Sequence, residues 1–324
     1  MDYKLYNELL SIDSTSGRER EMALWLHGHL DAPSKVLMEV GDGTLNLMLS
    51  WGTPKVVFCT HMDTVPPYIA PSFDGALWHG RGTCDAKGQL FAMYTACKEL
   101  EAAGSTGFGL LLLAGEETGS WGAKAFSKTG FKAPYLIVGE PTENKMISAS
   151  KGTKSYDLVF RGKAFHSGYP QHGLSAIDLF NEFYNQLKAA EFPGDPLLGD
   201  TTWNVGLLHS DNPQNILSPE LSCRLYFRTT FESDALVQRY MSSVRNDIHI
   251  TPRGGDSPAK YFTLPGFETA TAAFGSDAPH LTGFEHKAIC GPGTVLVAHR
   301  DNEHIAAEEL ETAAGQYVKM FHEL

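Results

Sequence analysis

Short apolar runs alternate with helical patterns over much of the chain. The apolar runs lie at 55–60, 108–114, 135–138 and 294–298. A helical pattern covers 86–103, between the first two runs, and a final helix is predicted from about residue 306. Apolar runs that alternate with helices are typical of βαβ units, in which both faces of the sheet are buried. The pattern therefore predicts an α/β fold.

The pattern changes between residues 151 and 259. Alternating apolar and polar positions there predict strands, and apolar residues at helical spacing predict two helices. The predicted elements are strand 155–161, helix 174–190, strands 202–208 and 221–227, and helix 233–246. This β-α-β-β-α order is the ferredoxin-like pattern. We therefore predict two domains, one formed by 1–150 with 260–324 and a smaller α+β domain, 151–259, inserted into it.

Composition argues against two classes of partner. The 324 residues carry a net charge of -12 without any Lys/Arg run, whereas a nucleic-acid partner requires a basic surface. The longest apolar stretch, near 110–113, is far shorter than the ~20 residues that span a bilayer. The first residues lack a signal-peptide pattern, and five scattered cysteines without CxxC spacing indicate free thiols. We expect a cytoplasmic protein with no membrane or nucleic-acid partner.

Imidazole and carboxylate side chains follow each apolar run. They are His61 and Asp63 after the first run, Glu116 and Glu117 after the second, Glu140 after the third and His299 after the fourth. Asp85 lies just before the helical pattern at 86–103. In open α/β sheets, sites form beyond the carboxyl ends of the strands. We therefore expect these side chains to meet at one sheet edge.

Each of these residues has an ordinary structural explanation when considered alone. The Glu116–Glu117 pair could begin a solvated helix, Asp85 could cap a helix, and His299 could be a surface histidine. All these explanations would have to coincide at one edge, which favours a shared function. Crowded carboxylates repel each other unless a cation neutralises them. Two histidines with several carboxylates suit Zn²⁺, with Co²⁺ and Mn²⁺ as alternatives.

Six motifs resemble those of the M20 family of co-catalytic zinc hydrolases. They are THMDTVP, GRGTCDAKG, GEETGS, VGEPT, FHSGYP and CGPG…AHRDNEHI, which begin at residues 60, 80, 115, 138, 165 and 290. The motifs cover the whole chain, and among family members the similarity is to N-acyl amino acid deacylases such as acetylornithine deacetylase and succinyl-diaminopimelate desuccinylase. The resemblance implies a catalytic domain with a mixed sheet flanked by helices, and an inserted lid domain that forms a homodimer.

The resemblance also implies roles for individual residues. Two divalent metal ions would be bound, one by His61 and Glu140, the other by Glu117 and His299, with Asp85 bridging them. Glu116 would be the general base for a metal-bridging water, and Asp63 would orient His61. His166 would donate to the oxyanion, in dimeric members from the other subunit. A cis peptide bond is expected at Asp85–Ala86.

Substrate recognition follows less directly from the motifs. An α-carboxylate calls for an arginine fork, and the resemblance makes Arg228 the candidate, with Asn215, Lys151 and Gly275 as further candidate substrate-binding residues. The expected reaction is hydrolysis of a small N-acyl amino acid in amino-acid biosynthesis. The alternative is a dipeptidase or exopeptidase that acts on short peptides at the same site. A non-catalytic binding protein is disfavoured, because every ligand position and Glu116 are filled.

Overall fold

The computed structural model describes residues 1–245 and 247–324, which divide into two compact units. The first unit contains Met1–Ser148, Tyr261–Ala270 and Ser276–Leu324, and the second contains Ala149–Lys260 and Thr271–Gly275. The sequence prediction had assigned all of 260–324 to the first unit. Residues 260 and 271–275, together with 149 and 150, instead belong to the second. The strand that ends at Ala272 pairs with the strand that ends at Ser150.

Helices and strands alternate through the described residues. The helices are α1 (Tyr3–Leu10), α2 (Glu19–His29), α3 (Lys87–Ala102), α4 (Trp121–Ser127), α5 (Ala176–Ala189), α6 (Asp234–Ser243) and α7 (Ala307–Glu323). The strands are β1 (Ser34–Gly41), β2 (Thr44–Trp51), β3 (Val56–His61), β4 (Ser72–Phe73), β5 (Leu77–His79), β6 (Phe108–Leu113), β7 (Ala133–Val138), β8 (Met146–Ser150), β9 (Gly152–Arg161), β10 (Thr202–His209), β11 (Glu220–Thr229), β12 (Ile248–Gly254), β13 (Ala259–Lys260), β14 (Thr269–Ala272), β15 (Phe284–Ile289) and β16 (His304–Ala306).

A six-stranded mixed sheet forms the centre of the first unit. Its order is β1-β2-β6-β3-β7-β15, with antiparallel pairing at β1-β2 and β2-β6 and parallel pairing from β6 to β15. Strands β3 and β6 are buried at every position, as expected of parallel strands covered on both faces. The predicted α/β fold with a mixed sheet and flanking helices is confirmed.

The second unit contains a four-stranded antiparallel sheet with α5 and α6. The strand order is β10-β11-β9-β12. In β11, every second residue is buried, so one face of the strand contributes to a core that also includes Phe183 of α5 and Val237 of α6. Strand β12, which the sequence prediction missed, completes the β-α-β-β-α-β order of a ferredoxin-like unit.

One predicted strand is wrong. Thr294 makes an isolated antiparallel bridge with Thr142, and residues 295–298 form a turn in which Val297 N–H donates to the carbonyl of Thr294. Val295 and Leu296 are exposed, and beyond the single bridge at Thr294 this run pairs with no strand among the described residues. The run therefore ends in a turn, and His299 directly after it has a left-handed backbone with φ of 63°.

Candidate metal centre

Three neighbouring parallel strands bring the predicted ligands to one edge of the sheet. His61 is the last residue of β3 and pairs with Leu113, the last residue of β6. Glu116 and Glu117 follow β6 after a short turn, and Glu140 follows β7. Since the three strands are parallel, their carboxyl ends lie at the same edge, which is where ligand sites form in such sheets.

The Asp85 carboxylate lies between two histidines. Its Oδ1 is 3.0 Å from His61 Nε2, and its Oδ2 is 3.2 Å from His299 Nε2. The same His299 nitrogen is 3.0 Å from Glu117 Oε1. One carboxylate thus contacts both imidazoles, one through each oxygen. The Asp85–Ala86 peptide bond is cis, as the resemblance implied.

The ring nitrogens at this centre lie in a field that favours positive charge. His61 Nδ1–H donates to the Asp63 carbonyl at 2.9 Å, so Nε2 faces the Asp85 carboxylate. Burial lowers the pKa of His61, but hydrogen bonds to Asp63 and Asp85 outweigh burial and raise that pKa well above its usual value. Hydrogen bonds to Asp85 and Glu117 raise the pKa of His299 to about 10. A divalent cation bound among these carboxylates would supply the positive charge that the protonated imidazoles otherwise supply.

The donor set fits divalent metal ions. Ligand atoms of His61, Asp85 and Glu117 lie within 4.8 Å of one another. The Oε1 atom of Glu140 is buried and has no hydrogen-bond partner among the described residues. Burial raises the pKa of Glu140 well above its usual range, and the charge of Glu116 adds to this effect. A buried carboxylate oxygen without a donor is costly unless a cation satisfies it.

Glu116 is the carboxylate at this edge with the properties of a proton acceptor. Burial raises its pKa well above the usual range, and charges on Asp277, Glu117 and Asp85 raise it further, whereas His61 opposes them. A raised carboxylate pKa brings proton affinity closer to neutral pH, where a general base works best. The backbone of Glu116 is fixed, since its N–H donates to Asp63 Oδ1 at 3.1 Å.

Asp63 connects two parts of the centre. It is fully buried, and its Oδ2 accepts from the Glu117 N–H at 3.2 Å and from Ser16 Oγ at 3.1 Å. His61 is oriented mainly by the backbone carbonyl of Asp63, since the carboxylate Oδ1 is farther from Nδ1, at 3.5 Å. The side chain of Asp63 therefore positions the Glu116–Glu117 turn more directly than it positions the imidazole.

Sequence reasoning missed Glu303, which holds the loop of Asp85. Its Oε1 accepts from the N–H groups of Gly82, Cys84 and Asp85, each at 3.0 Å. Its Oε2 accepts from Arg81 at 2.6 Å, and both side chains are about 1% exposed. The sequence signal for this pair was indirect. Arg81 occurs in the GRGTCDAKG motif and Glu303 in the AHRDNEHI motif, but neither residue is itself a predicted metal ligand.

Asp277 is a second buried carboxylate, and it belongs to the 275–277 segment that resembles a pocket-lining loop of the family. It follows the predicted Gly275 by two positions, and its Oδ1 has no hydrogen-bond partner among the described residues. Burial raises its pKa to about 6, and His61 opposes that shift. Gly275 itself is the last residue of the second unit.

The remaining predicted residues belong to the second unit and form two separate groups. The N–H of Ser167, next to His166, donates to the carbonyl of Asn215 at 2.9 Å. Arg228 in β11 lies over the ring of Tyr226 at 4.9 Å, and the Lys151 ammonium donates to the carbonyl of Asp200. The structure therefore brings His166 close to Asn215, but it does not bring either residue close to Arg228.

The family can be assigned by comparison with known proteins. A model of Peptidase family M20/M25/M40 matches residues 57–323. The chain belongs to this family. Members are metal-dependent hydrolases, which agrees with the histidine and carboxylate cluster described above. No helix among the described residues is long and apolar enough to span a membrane.

Individual relatives are similar over most of the chain. A Peptidase M20 domain-containing protein of Schizosaccharomyces pombe is 30% identical, over 98% of this chain and 83% of that protein. A probable carboxypeptidase of Aspergillus flavus is 33% identical, over 82% of this chain and 74% of that protein. The structure of an M20 family metallo-carboxypeptidase from Sulfolobus solfataricus has a TM-score of 0.80 and 17% identity, covering 100% and 99% of the two chains. The last similarity shows the shared fold.

Proposed function

We propose that this protein is a metallopeptidase of the carboxypeptidase type, which removes a residue with a free carboxylate from short peptides. The observation that carries the proposal is the Asp85 carboxylate, which contacts His61 and His299 beside Glu116. Sequence relatives named probable carboxypeptidases support the choice of substrate class. They favour the peptide alternative over the N-acyl amino acid that the sequence motifs suggested first.

The proposed metal ligands are those at the sheet edge. His61 and Glu140 would hold one divalent ion, Glu117 and His299 the other, and Asp85 would bridge them. Bound metal ions polarise the scissile carbonyl and make the attacking water more acidic. Zn²⁺ suits this mixture of nitrogen and oxygen ligands.

Glu116 moves the protons in the proposed reaction. A carboxylate oxygen of Glu116 accepts a proton from the attacking water and returns it to the nitrogen of the leaving residue. Burial and the neighbouring carboxylates raise the pKa of Glu116, which favours the first of these steps, the uptake of the proton. Asp63 supports the transfer by holding the backbone N–H groups of Glu116 and Glu117.

The second unit would supply two groups for the substrate. We propose that Arg228 binds the free carboxylate, with Lys151, Asn215 and Gly275 as further contacts, and that His166 donates to the oxyanion.

The positions of these groups within the unit support a homodimer. Arg228 pairs with Thr153 at one end of β9, whereas His166 follows the other end of that strand, beyond Arg161. At about 3.3 Å per residue, Thr153 and Arg161 are ~26 Å apart. One short substrate cannot contact both ends of the same sheet. A homodimer in which His166 acts on the substrate of the other chain resolves this separation.

Cleavage rates on zinc-loaded protein test the substrate class. The substrates form a matched set: a free dipeptide, its N-acetyl form, its C-terminal amide and an N-acetyl amino acid. A carboxypeptidase cleaves the first two and loses activity on the amide. Preference for the N-acetyl amino acid would instead support the deacylase, and loss of activity on N-acetylation of the dipeptide would support an aminopeptidase.

A further inference from the structure

Two histidines form a cross-strand pair outside the candidate metal centre. In the small sheet β16-β5-β4, His304 of β16 lies directly opposite His79 of β5. Their ring centroids are 5.8 Å apart, and the ring planes are inclined at 44°. Directly opposed residues of an antiparallel pair project from the same face of the sheet. The two imidazoles are therefore close enough to share one ligand.

Hydrogen bonds determine which ring nitrogens can bind a ligand. His79 Nε2–H donates to Asp74 Oδ2 at 2.9 Å, and His304 Nδ1–H donates to the carbonyl of Asn302 at 2.8 Å. A neutral imidazole that donates through one nitrogen has a lone pair on the other. That leaves Nδ1 of His79 and Nε2 of His304, and no hydrogen bond within the described residues uses either atom.

Asp74 orients His79 and is itself held in place. Its Oδ1 accepts from the N–H groups of Ala76 and Leu77, at 2.9 and 2.8 Å. Its Oδ2 is then directed at the imidazole. A carboxylate that accepts from the far side of an imidazole fixes the ring direction and increases the basicity of the other nitrogen. This arrangement is the usual support for a metal-binding histidine.

We propose that His79 and His304 form a second metal site, separate from the candidate metal centre, for one imidazole-preferring cation such as Zn²⁺, Ni²⁺ or Cu²⁺. Two imidazoles on one metal, with metal–nitrogen distances of about 2.1 Å, place the ring centroids roughly 4.5 to 6.4 Å apart. The observed 5.8 Å lies within this range. Water completes the coordination, since both side chains are partly exposed.

The position of this pair gives metal binding a structural consequence. Strand β5 leads directly into Gly80 and Arg81, and β16 begins directly after Glu303. The Gly80 N–H donates to the Glu303 carbonyl at 3.0 Å, which extends the pairing of the two strands. A metal ion on His79 and His304 therefore links the two segments that carry the buried Arg81–Glu303 pair. This inference does not depend on the proposed peptidase function.

Zinc titration of the full-length chain tests the proposal. Wild type, His79→Gln and His304→Gln are compared by calorimetry, with His249→Gln as the matched control. His249 also lies on an exposed strand, but its cross-strand partner is Val159. We expect wild type and H249Q to bind one zinc ion more per chain than H79Q and H304Q at micromolar zinc, and Asp74→Asn to bind the extra ion at least tenfold more weakly.

A second measurement distinguishes this site from the candidate metal centre. With Cu²⁺, electron paramagnetic resonance is expected to show a signal with two nitrogen couplings that is absent from H79Q and H304Q. Equal zinc stoichiometry in wild type and both pair variants would overturn the proposal, as would an equal loss in H249Q. If the peptidase proposal is wrong, the cleavage rates will not be those of a carboxypeptidase. The difference in zinc stoichiometry between wild type and the two pair variants will nevertheless remain.

Discussion

The candidate metal centre and the second unit hold their predicted functional residues in different ways. At the centre, Asp63 and Glu303 are buried, and their carboxylates accept from the backbone N–H groups of Glu116 and Asp85, respectively. In the second unit His166 is exposed, and its ring accepts from the N–H of Gly168. Side chains that are already held in one geometry lose less conformational entropy when a ligand binds. The centre is thus held by buried hydrogen bonds, whereas His166 has one exposed hydrogen bond within its own loop.

The largest expected effect is on turnover in Glu116→Gln. Removing the proton acceptor is expected to lower kcat by roughly 10²- to 10⁴-fold, because amide oxygen cannot take the proton from water. Metal content should remain that of wild type, since Glu116 is not a proposed ligand. Steady-state rates with metal analysis check both parts. Near-normal turnover would remove Glu116 as the base.

Next in size is the loss of stability in Glu303→Gln. The variant leaves the Arg81 guanidinium buried without its charged partner, which costs about 3–5 kcal/mol in similar cases. Glu8→Gln is the matched control, because the Lys4–Glu8 pair is exposed and contributes little. Chemical denaturation of the two variants measures the difference. Equal stabilities would show that the buried pair does not support the Asp85 loop as described.

His166→Ala is expected to lower kcat by about 10²- to 10³-fold without changing stability or metal content. The stability is preserved because the side chain is exposed. Mixing this variant with Glu116→Gln tests the dimer. If His166 acts across subunits, mixed dimers contain one complete site, and activity recovers to about a quarter of wild type. No recovery in dimers shown to exchange subunits would place His166 and Glu116 in the same chain's site.

The smallest expected effect is that of Arg228→Gln. Loss of the charged fork is expected to raise KM by about tenfold or more, since hydrogen bonds to charged groups contribute about 1.5–3 kcal/mol. Arg228→Lys should recover part of the loss. The residual kcat/KM on a peptide amide, which lacks the carboxylate, should be equal in Arg228→Gln and wild type. An equal effect on the amide would contradict the proposed role of Arg228.

Much of the fold was predictable because the sheet of the first unit leaves a clear pattern. Strands buried on both faces appear in the sequence as continuous apolar runs. The polar residues that follow β3, β6 and β7 therefore predicted a site at one edge of the sheet. The run at 294–298 is also apolar, yet among the described residues it pairs only through the isolated bridge Thr142–Thr294, so local pattern alone gave the wrong element. Sequence reasoning also missed residues whose side chains fix the backbone of the predicted site residues. Glu303 bonds to Asp85 across 218 positions, a contact that no local spacing encodes.

The most direct test of the metal centre is anomalous diffraction at the zinc edge from crystals of the zinc-loaded chain. We expect two peaks at the sheet edge, one bound by His61 and Glu140 and the other by Glu117 and His299, with Asp85 contacting both. A third, weaker peak between His79 and His304 would support the second site. No anomalous peak within bonding distance of Asp85 would contradict the proposed centre and the mechanism built on it.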